Sequence, residues 1–278
     1  MKVEVLEPHG FCAGVVGAIK KALKLKGGPV YGLHELVHNE LVTDRFVGRG
    51  FIFVERLDQV PDGARVLFSA HGVSPAVREE AQRRKLDIVD ATCPFVTKVH
   101  KAARDFAAKG LDVVVIGHDA HAEVKGIIGE IVNSRVHTVT TATLDNLVAK
   151  LKSLGVKSIG VVSQTTMNAD EVEEMVEKLG KYFDVETTAE VCHATKERQD
   201  AVKAYNGDAI LVLGSPRSSN TARLCEVAKT KVFRAGSMDE VRSLDFSGIN
   251  SLGVTSGAST PEDFLQEAVE YLKMKNEK

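Results

Sequence analysis

The sequence has no CxxC pair, no low-complexity linker, no long apolar run and almost no net charge. The missing cysteine pairs argue against a zinc ribbon or a ferredoxin-type ligand run. Lysine and arginine total 36 against 38 aspartate and glutamate, a formal net charge of −2. That balance argues against a nucleic-acid coat or a polybasic membrane binder, which depend on a field of one sign. Four cysteines in 278 residues are too few for a disulfide scaffold, yet enough for a metal site. The opening MKVEVLEPHG has no apolar signal-like core, and no stretch approaches the ~20 apolar residues of a membrane span. These absences point to a reducing compartment, the cytoplasm, with neither nucleic acid nor membrane as partner. At ~150 residues per domain the length suggests roughly two domains.

One pattern recurs along the chain. A short β-branched run stops at a tip of Gly, Ser, Thr, His or Asn, and a helical pattern follows. It occurs at 65–69, 112–116, 159–162, 210–213 and 252–254. Continuous apolar runs suit parallel strands covered on both faces. Ser74-Pro75, Asn168 with Glu171, and Thr260-Pro261 with Asp263 read as helix starts. From 261 onward Phe264, Leu265, Ala268 and Leu272 line one side of an amphipathic helix. Ligands of open parallel sheets bind at the carboxyl ends of strands, and backbone N–H groups at helix starts favour anions. Tips rich in donors and poor in carboxylates therefore point to an anionic ligand held by neutral side chains and histidines.

Cys12, Cys93 and Cys192 are spaced by 81 and 99 residues. Each follows a β-like run, sits among small or turn residues, and precedes a helical pattern (15–25, 97–108 and 198–205). The shared context suggests three similar units, each bringing one thiolate to a common centre. Three thiolates would leave a zinc or iron site open at its fourth position, although isolated buried thiols are also common. Cys225 lies inside an amphipathic helical pattern, where a cysteine is a small buried hydrophobe.

The stretches His9-Gly-Phe-Cys-Ala-Gly-Val15, Val37-His-Asn39, Ser69-Ala-His-Gly-Val-Ser74, Asp90-Ala-Thr-Cys-Pro94, Gly117-His-Asp-Ala-His-Ala-Glu-Val124, Gln164-Thr-Thr166, Cys192-His-Ala-Thr195, Ser218-Ser-Asn220 and Gly257-Ala-Ser259 closely resemble the LytB family of 4-hydroxy-3-methylbut-2-enyl diphosphate reductases. The match runs in order from residue 9 to about residue 262. The resemblance implies an α/β fold of three similar units with pseudo-threefold symmetry about a central iron–sulfur cluster. It implies a two-electron reductive dehydroxylation yielding isopentenyl and dimethylallyl diphosphate, the last step of the non-mevalonate pathway. Its units would be 13–93, 94–190 and 191–262, with 1–12 packed on the third and 263–278 as a C-terminal helix and tail.

By motif, the resemblance assigns Cys12, Cys93 and Cys192 to one 4Fe–4S cluster whose fourth iron is open to the substrate hydroxyl. Glu123 would deliver the proton, with Thr165 and Thr166 lining the site and relaying or orienting it. His38, His71, His121, Ser218, Ser219, Asn220 and Ser259 would form the diphosphate pocket, with Thr195 near cluster and substrate. A ferredoxin or flavodoxin is the implied electron donor. Gly17, Ala122 and Arg217 depart from the family's usual residues at those places. Without the resemblance, Glu123 reads as an exposed helix-start glutamate favoured by the dipole, and Ser218 to Asn220 read as a helix cap. His9, His34, His100, His118, His137 and His193 read as structural or solvent-facing. A redox-neutral hydratase or dehydratase also fits an open iron beside an acid, while balanced charge weighs against a third reading, a non-catalytic iron–sulfur sensor or RNA-associated protein.

Overall fold

Three four-stranded parallel sheets build the computed structural model, which describes residues 1–276. The last two residues of the expected C-terminal helix and tail, 277–278, lie outside it. The chain first lays down β1 (Lys2–Val5) and α1 (Ala13–Leu23). Next come β2 (Val30–Leu33), α2 (Glu40–Val47), β3 (Phe51–Val54), β4 (Arg65–Phe68), α3 (Pro75–Arg83) and β5 (Asp87–Asp90). After α4 (Pro94–Ala108) the pattern repeats with β6 (Asp112–Ile116), α5 (Ala122–Gly129), β7 (Val136–Val139), α6 (Leu144–Ser153), β8 (Ser158–Ser163), α7 (Ala169–Gly180) and β9 (Asp184–Thr187). The remainder is α8 (His193–Ala204), β10 (Ala209–Leu213), α9 (Ser219–Val227), β11 (Lys231–Ala235), α10 (Met238–Ser243), β12 (Ser251–Ser256) and α11 (Glu262–Asn276).

The strand orders are β3-β2-β4-β5, β7-β6-β8-β9 and β11-β10-β12-β1. All three are the same arrangement, because β1 occupies in the third sheet the place that β5 and β9 hold in theirs. Its register against β12, Lys2 opposite Ser251 through Val5 opposite Val254, fixes that role. The apolar runs read from sequence are the central strands, and β6 and β10 are buried along their whole length. Each fully buried valine or isoleucine there contributes about 1.5–3 kcal/mol. The edge strands β1, β5 and β9 carry charge and have no fully buried residue, which discourages further pairing.

Each cysteine marks a seam between sheets. Cys12 follows β1 of the third sheet, but α1 packs Val15, Ala18 and Ala22 on Val30 and Leu67 of the first. Cys93 follows β5, but α4 packs Val99 and Phe106 on Val113 and Val162 of the next sheet. Cys192 follows β9, while α8 packs Val202 on Ile210 and Val212. All three helices begin directly after the cysteine, earlier than expected, and the cysteine itself is the N-cap. Ser74 and Asn168 cap α3 and α7 as expected, accepting from Val77 N and Asp170 N. Glu171 does not close a capping box, and accepts instead from Thr141 Oγ1 at 3.4 Å. Thr260 also departs from expectation: its hydroxyl donates to Leu213 O at 3.0 Å rather than capping α11. Phe264, Leu265, Ala268 and Leu272 of α11 join the third sheet's core. No helix among the described residues is long and apolar enough to cross a membrane.

Candidate active site at the meeting of three sheets

Three kinds of chain segment converge from each sheet: the tip after its first strand, the tip after its third, and the seam after its fourth. First-strand tips bring His38, then His121 with Glu123, then Ser218 to Asn220. Third-strand tips bring His71, then Thr165 and Thr166, then Ser259. Seams bring Cys12, Cys93 and Cys192, with Thr195 one turn further on. Every one of these residues lines a single cavity of about 110 Å³. A larger cavity of about 460 Å³ adjoins it and shares His38, His121, Ser218 and Ser219.

At the cysteine end, none of the three N-cap thiols is spent on a cap hydrogen bond. A Cβ on Gly14 would lie 2.6 Å from Cys93 Sγ and 3.8 Å from Cys12 Sγ, so that glycine keeps the space between two thiols open. Burial pushes the Cys93 thiol up from its ordinary pKa, against backbone N–H groups of Phe95 and Val96. Burial likewise raises Cys192, whose Sγ lies 3.1 Å from Thr195 Oγ1. Such thiols stay protonated until a cation takes them, and coordination deprotonates them outright. Thiol donors converging at three helix starts, with a glycine-cleared gap, fit an iron–sulfur group better than a hard oxygen-seeking ion. Cys225 lies away from this cavity, packed beside Val227 and Leu224 in α9, and burial pushes its thiol up to about 11.

Glu123 is 2% exposed, so it is not the solvent-facing helix-start carboxylate that local sequence suggests. Thr165 N donates to its Oε1 at 2.7 Å and Thr165 Oγ1 to its Oε2 at 3.1 Å. Burial raises its pKa from 4.5 to about 7, with both Thr165 bonds pulling the other way. A buried carboxyl poised near neutrality can give or take a proton, which few side chains can do.

His38, His71 and His121 form the opposite wall. The rings of His38 and His71 stack at 4.4 Å, and His121 meets them edge-on at 5.4 and 5.6 Å. Their nitrogens lie within 4.8 Å of one another, a spacing that suits a metal ion as well as an anion. The tautomer of His121 decides between them. Glu123 N donates to His121 Nδ1 at 3.2 Å, so the neutral ring carries its proton on Nε2 and offers a donor rather than a lone pair. Burial, then the nearby His38, lowers His121 to about 4. Burial also drives His71 well below the usual histidine value, with His38 and His121 adding to it. His38 is lowered by burial despite Glu35. The wall is therefore neutral and built to donate hydrogen bonds to an anion.

The remaining polar groups are cross-braced. Asn220 is both pocket wall and connector, since Ala258 N donates to its Oδ1 at 2.9 Å and its Nδ2 donates to Thr195 Oγ1 at 3.3 Å. Ser218 is the N-cap of α9, accepting from Thr221 N, while Ser259 Oγ donates to His38 O at 3.4 Å. Gln164, named only as part of a motif by the sequence, is fully buried and donates to Thr166 Oγ1 at 2.9 Å and Ser219 Oγ at 3.1 Å. Arg217 is held by Glu40 at 2.7 Å and Glu35 at 3.0 Å at the rim. Gly17 faces open space, and Ala122 is the first residue of α5, where proline is optional. The histidines outside the site pair with acids or arginine, His9 with Glu262, His34 with Glu55, His100 with Glu130, His118 with Arg223, His137 with Asp112 and His193 with Glu197.

A family described as LytB protein matches residues 3–273 of the chain. A 4-hydroxy-3-methylbut-2-enyl diphosphate reductase of Pseudoalteromonas translucida (strain TAC 125) is 42% identical, covering 98% of this chain and 92% of the relative. The reductase of the same name from Nitrosomonas europaea is 40% identical, over 98% of this chain and 88% of the relative. Among solved structures, the E-1-hydroxy-2-methyl-but-2-enyl-4-diphosphate reductase from Plasmodium falciparum superposes with a TM-score of 0.89 at 35% identity. That superposition covers 98% of this chain and 88% of the other. A second, described as the terminal enzyme of the non-mevalonate pathway, gives a TM-score of 0.69 at 30% identity, over 99% and 100%.

Proposed function

The chain belongs to the LytB family, and on that premise we propose that it reduces 4-hydroxy-3-methylbut-2-enyl diphosphate to isopentenyl and dimethylallyl diphosphate. The observation that carries the reading is one cavity with three cap-free cysteines at one end, three neutral histidines at the other, and a buried carboxyl poised near pH 7 on its wall. Cys12, Cys93 and Cys192 would hold a 4Fe–4S cluster. When bound, such a cluster supplies electrons singly and a Lewis-acidic iron for a hydroxyl oxygen.

The chain's own residues do the rest. The diphosphate is received by N–H and O–H donors of His38, His71, His121, Ser218, Ser219, Asn220 and Ser259. Neutral donors need no counter-ion when the pocket is empty, unlike buried arginines or lysines. Glu123 in its protonated form gives its proton to the departing allylic hydroxyl, which leaves as water when the C–O bond breaks. Two electrons and a second proton, added at either end of the allyl system, complete the balance and account for two products. Thr165 holds Glu123 by two bonds, and its hydroxyl is placed to pass the proton on. Thr195, braced by Asn220, fixes the wall beside Cys192, and closure of the three sheets around the cavity excludes water. A low-potential one-electron donor of the ferredoxin or flavodoxin kind supplies the electrons. Four free cysteines suit a reducing compartment such as the cytoplasm.

Anaerobic purification should give about four irons and four sulfides per chain, with an absorption change on adding the diphosphate substrate. Turnover to both products should require a low-potential reductant. Turnover without any electron donor would instead establish the redox-neutral hydratase reading.

A further inference from the structure

Arg198 is 3% exposed, on α8 against the segment that precedes Cys12. Its guanidinium donates only to backbone carbonyls: Nη1 to Ala194 O at 2.8 Å, Nη2 to Gly10 O at 3.0 Å and His9 O at 3.3 Å. Its Nε is buried without a partner. Among the described residues no carboxylate forms an ion pair with it. The carbonyls it grips belong to Gly10 and Ala194, each two residues from a cysteine, Cys12 and Cys192; burial pulls its pKa below the ordinary arginine value, against the charges that Cys12 and Cys192 would carry when ionised and those of Glu197 and Glu7. Both glutamates are half-exposed or more and already engaged, Glu197 with His193 and Glu7 with His9.

An arginine cannot shed its proton, and an unpaired buried charge costs several kcal/mol. A fold that holds such a cation by carbonyls alone, with one N–H left over, has a negative group yet to be supplied beside it. We propose that Arg198 is the fixed counter-charge of the three-cysteine centre, favouring the reduced state of the group those cysteines bind. This rests on the iron–sulfur reading above. It also explains why Arg198 grips the His9–Gly10 carbonyls: one side chain ties the loop bearing Cys12 to the helix bearing Cys192. Arg198 acts through the ligands and touches no substrate.

The test compares the full chain with Arg198→Lys and Arg198→Met, each loaded anaerobically with iron and sulfide and titrated electrochemically under electron paramagnetic resonance. In the methionine variant the reduction equilibrium should move about tenfold toward the oxidised form, 59 mV for one electron. The lysine variant, which keeps the charge, should stay within about threefold of the parent. Equal potentials in parent and methionine variant would overturn the proposal, as would equal displacement in both variants. Loss of the cluster in Arg198→Met with loading retained in Arg198→Lys would support the same role for the charge, and loss in both variants would overturn it. A parent chain that takes up no iron or sulfide would refute the iron–sulfur reading itself, whereas a loaded parent whose potential matches that of Arg198→Met would overturn the role of Arg198 alone.

Discussion

Thr165 grips both oxygens of Glu123, one with its backbone N–H and one with its hydroxyl, although the two residues leave different strands of one sheet. The carboxyl is thereby fixed in orientation, and its pKa is a contest between burial and two hydrogen bonds. Thr165→Val keeps the backbone bond and removes the hydroxyl, so the carboxyl should rise above about 7. Turnover should fall by about tenfold to a hundredfold, and its decline at high pH should begin later. The pH profile of kcat checks this; an unmoved limb would mean that another group sets it.

Glu123→Gln should leave substrate binding within a few-fold and lower turnover by at least about a hundredfold. It should also change stability in a pH-dependent way. The folded carboxyl titrates at about 7 rather than 4.5, so between those values the folded chain binds more protons than the unfolded one. The stability linked to this group is complete below about pH 4.5 and lost as pH rises through about 7. Glutamine never ionises. In the metal-free chain it should therefore match the parent at low pH and exceed it by about 3 kcal/mol above pH 7. Thermal melts across that range measure the gap.

Serine at Cys12, Cys93 or Cys192 should abolish or degrade cluster loading, whereas Cys225→Ser should keep iron content and activity. Gly14→Ala should impair loading with every thiol intact, because its methyl would sit 2.6 Å from Cys93 Sγ. Iron and sulfide analysis of the five variants separates ligands, spacer and bystander. Equal loss at all four cysteines would overturn the assignment.

Arg217→Gln should change KM by less than about threefold, because Glu35 and Glu40 already engage the guanidinium at the rim. Removing a half-exposed pair of this kind should cost under about 1 kcal/mol. A tenfold rise in KM would show instead that Arg217 reaches the diphosphate.

Five of the six central strands were legible because β4, β6, β8, β10 and β12 are apolar runs ending in turn residues; β2, Val-Tyr-Gly-Leu, is too short a run to stand out. The helices after the cysteines begin earlier than the sequence suggests, since a thiol that caps without a hydrogen bond leaves none of the Ser, Thr, Asp or Asn signal that marks a start. Glu123 could not be placed by local pattern alone: at a helix start an exposed glutamate and a buried acid look alike, and only the approach of Thr165 from another strand separates them. Gln164 and Arg198 were illegible for a related reason. Each has a partner far off in sequence, the Ser219 hydroxyl 55 residues from Gln164 and the Gly10 carbonyl 188 residues from Arg198, and a carbonyl is present at every position of every chain.

The pairing of β1 with β12 sets an order of events during translation. β1 leaves the ribosome before any of the first two sheets exists, yet the one strand it pairs with among the described residues, β12, is made after nearly everything else. Until then Cys12 is held on one side only, by α1 on the first sheet, while the strand before it is unpaired; Cys93 and Cys192 already follow strands whose partners precede them. The wall on which the three cysteines converge is therefore finished only when the last strand of the chain pairs with the first.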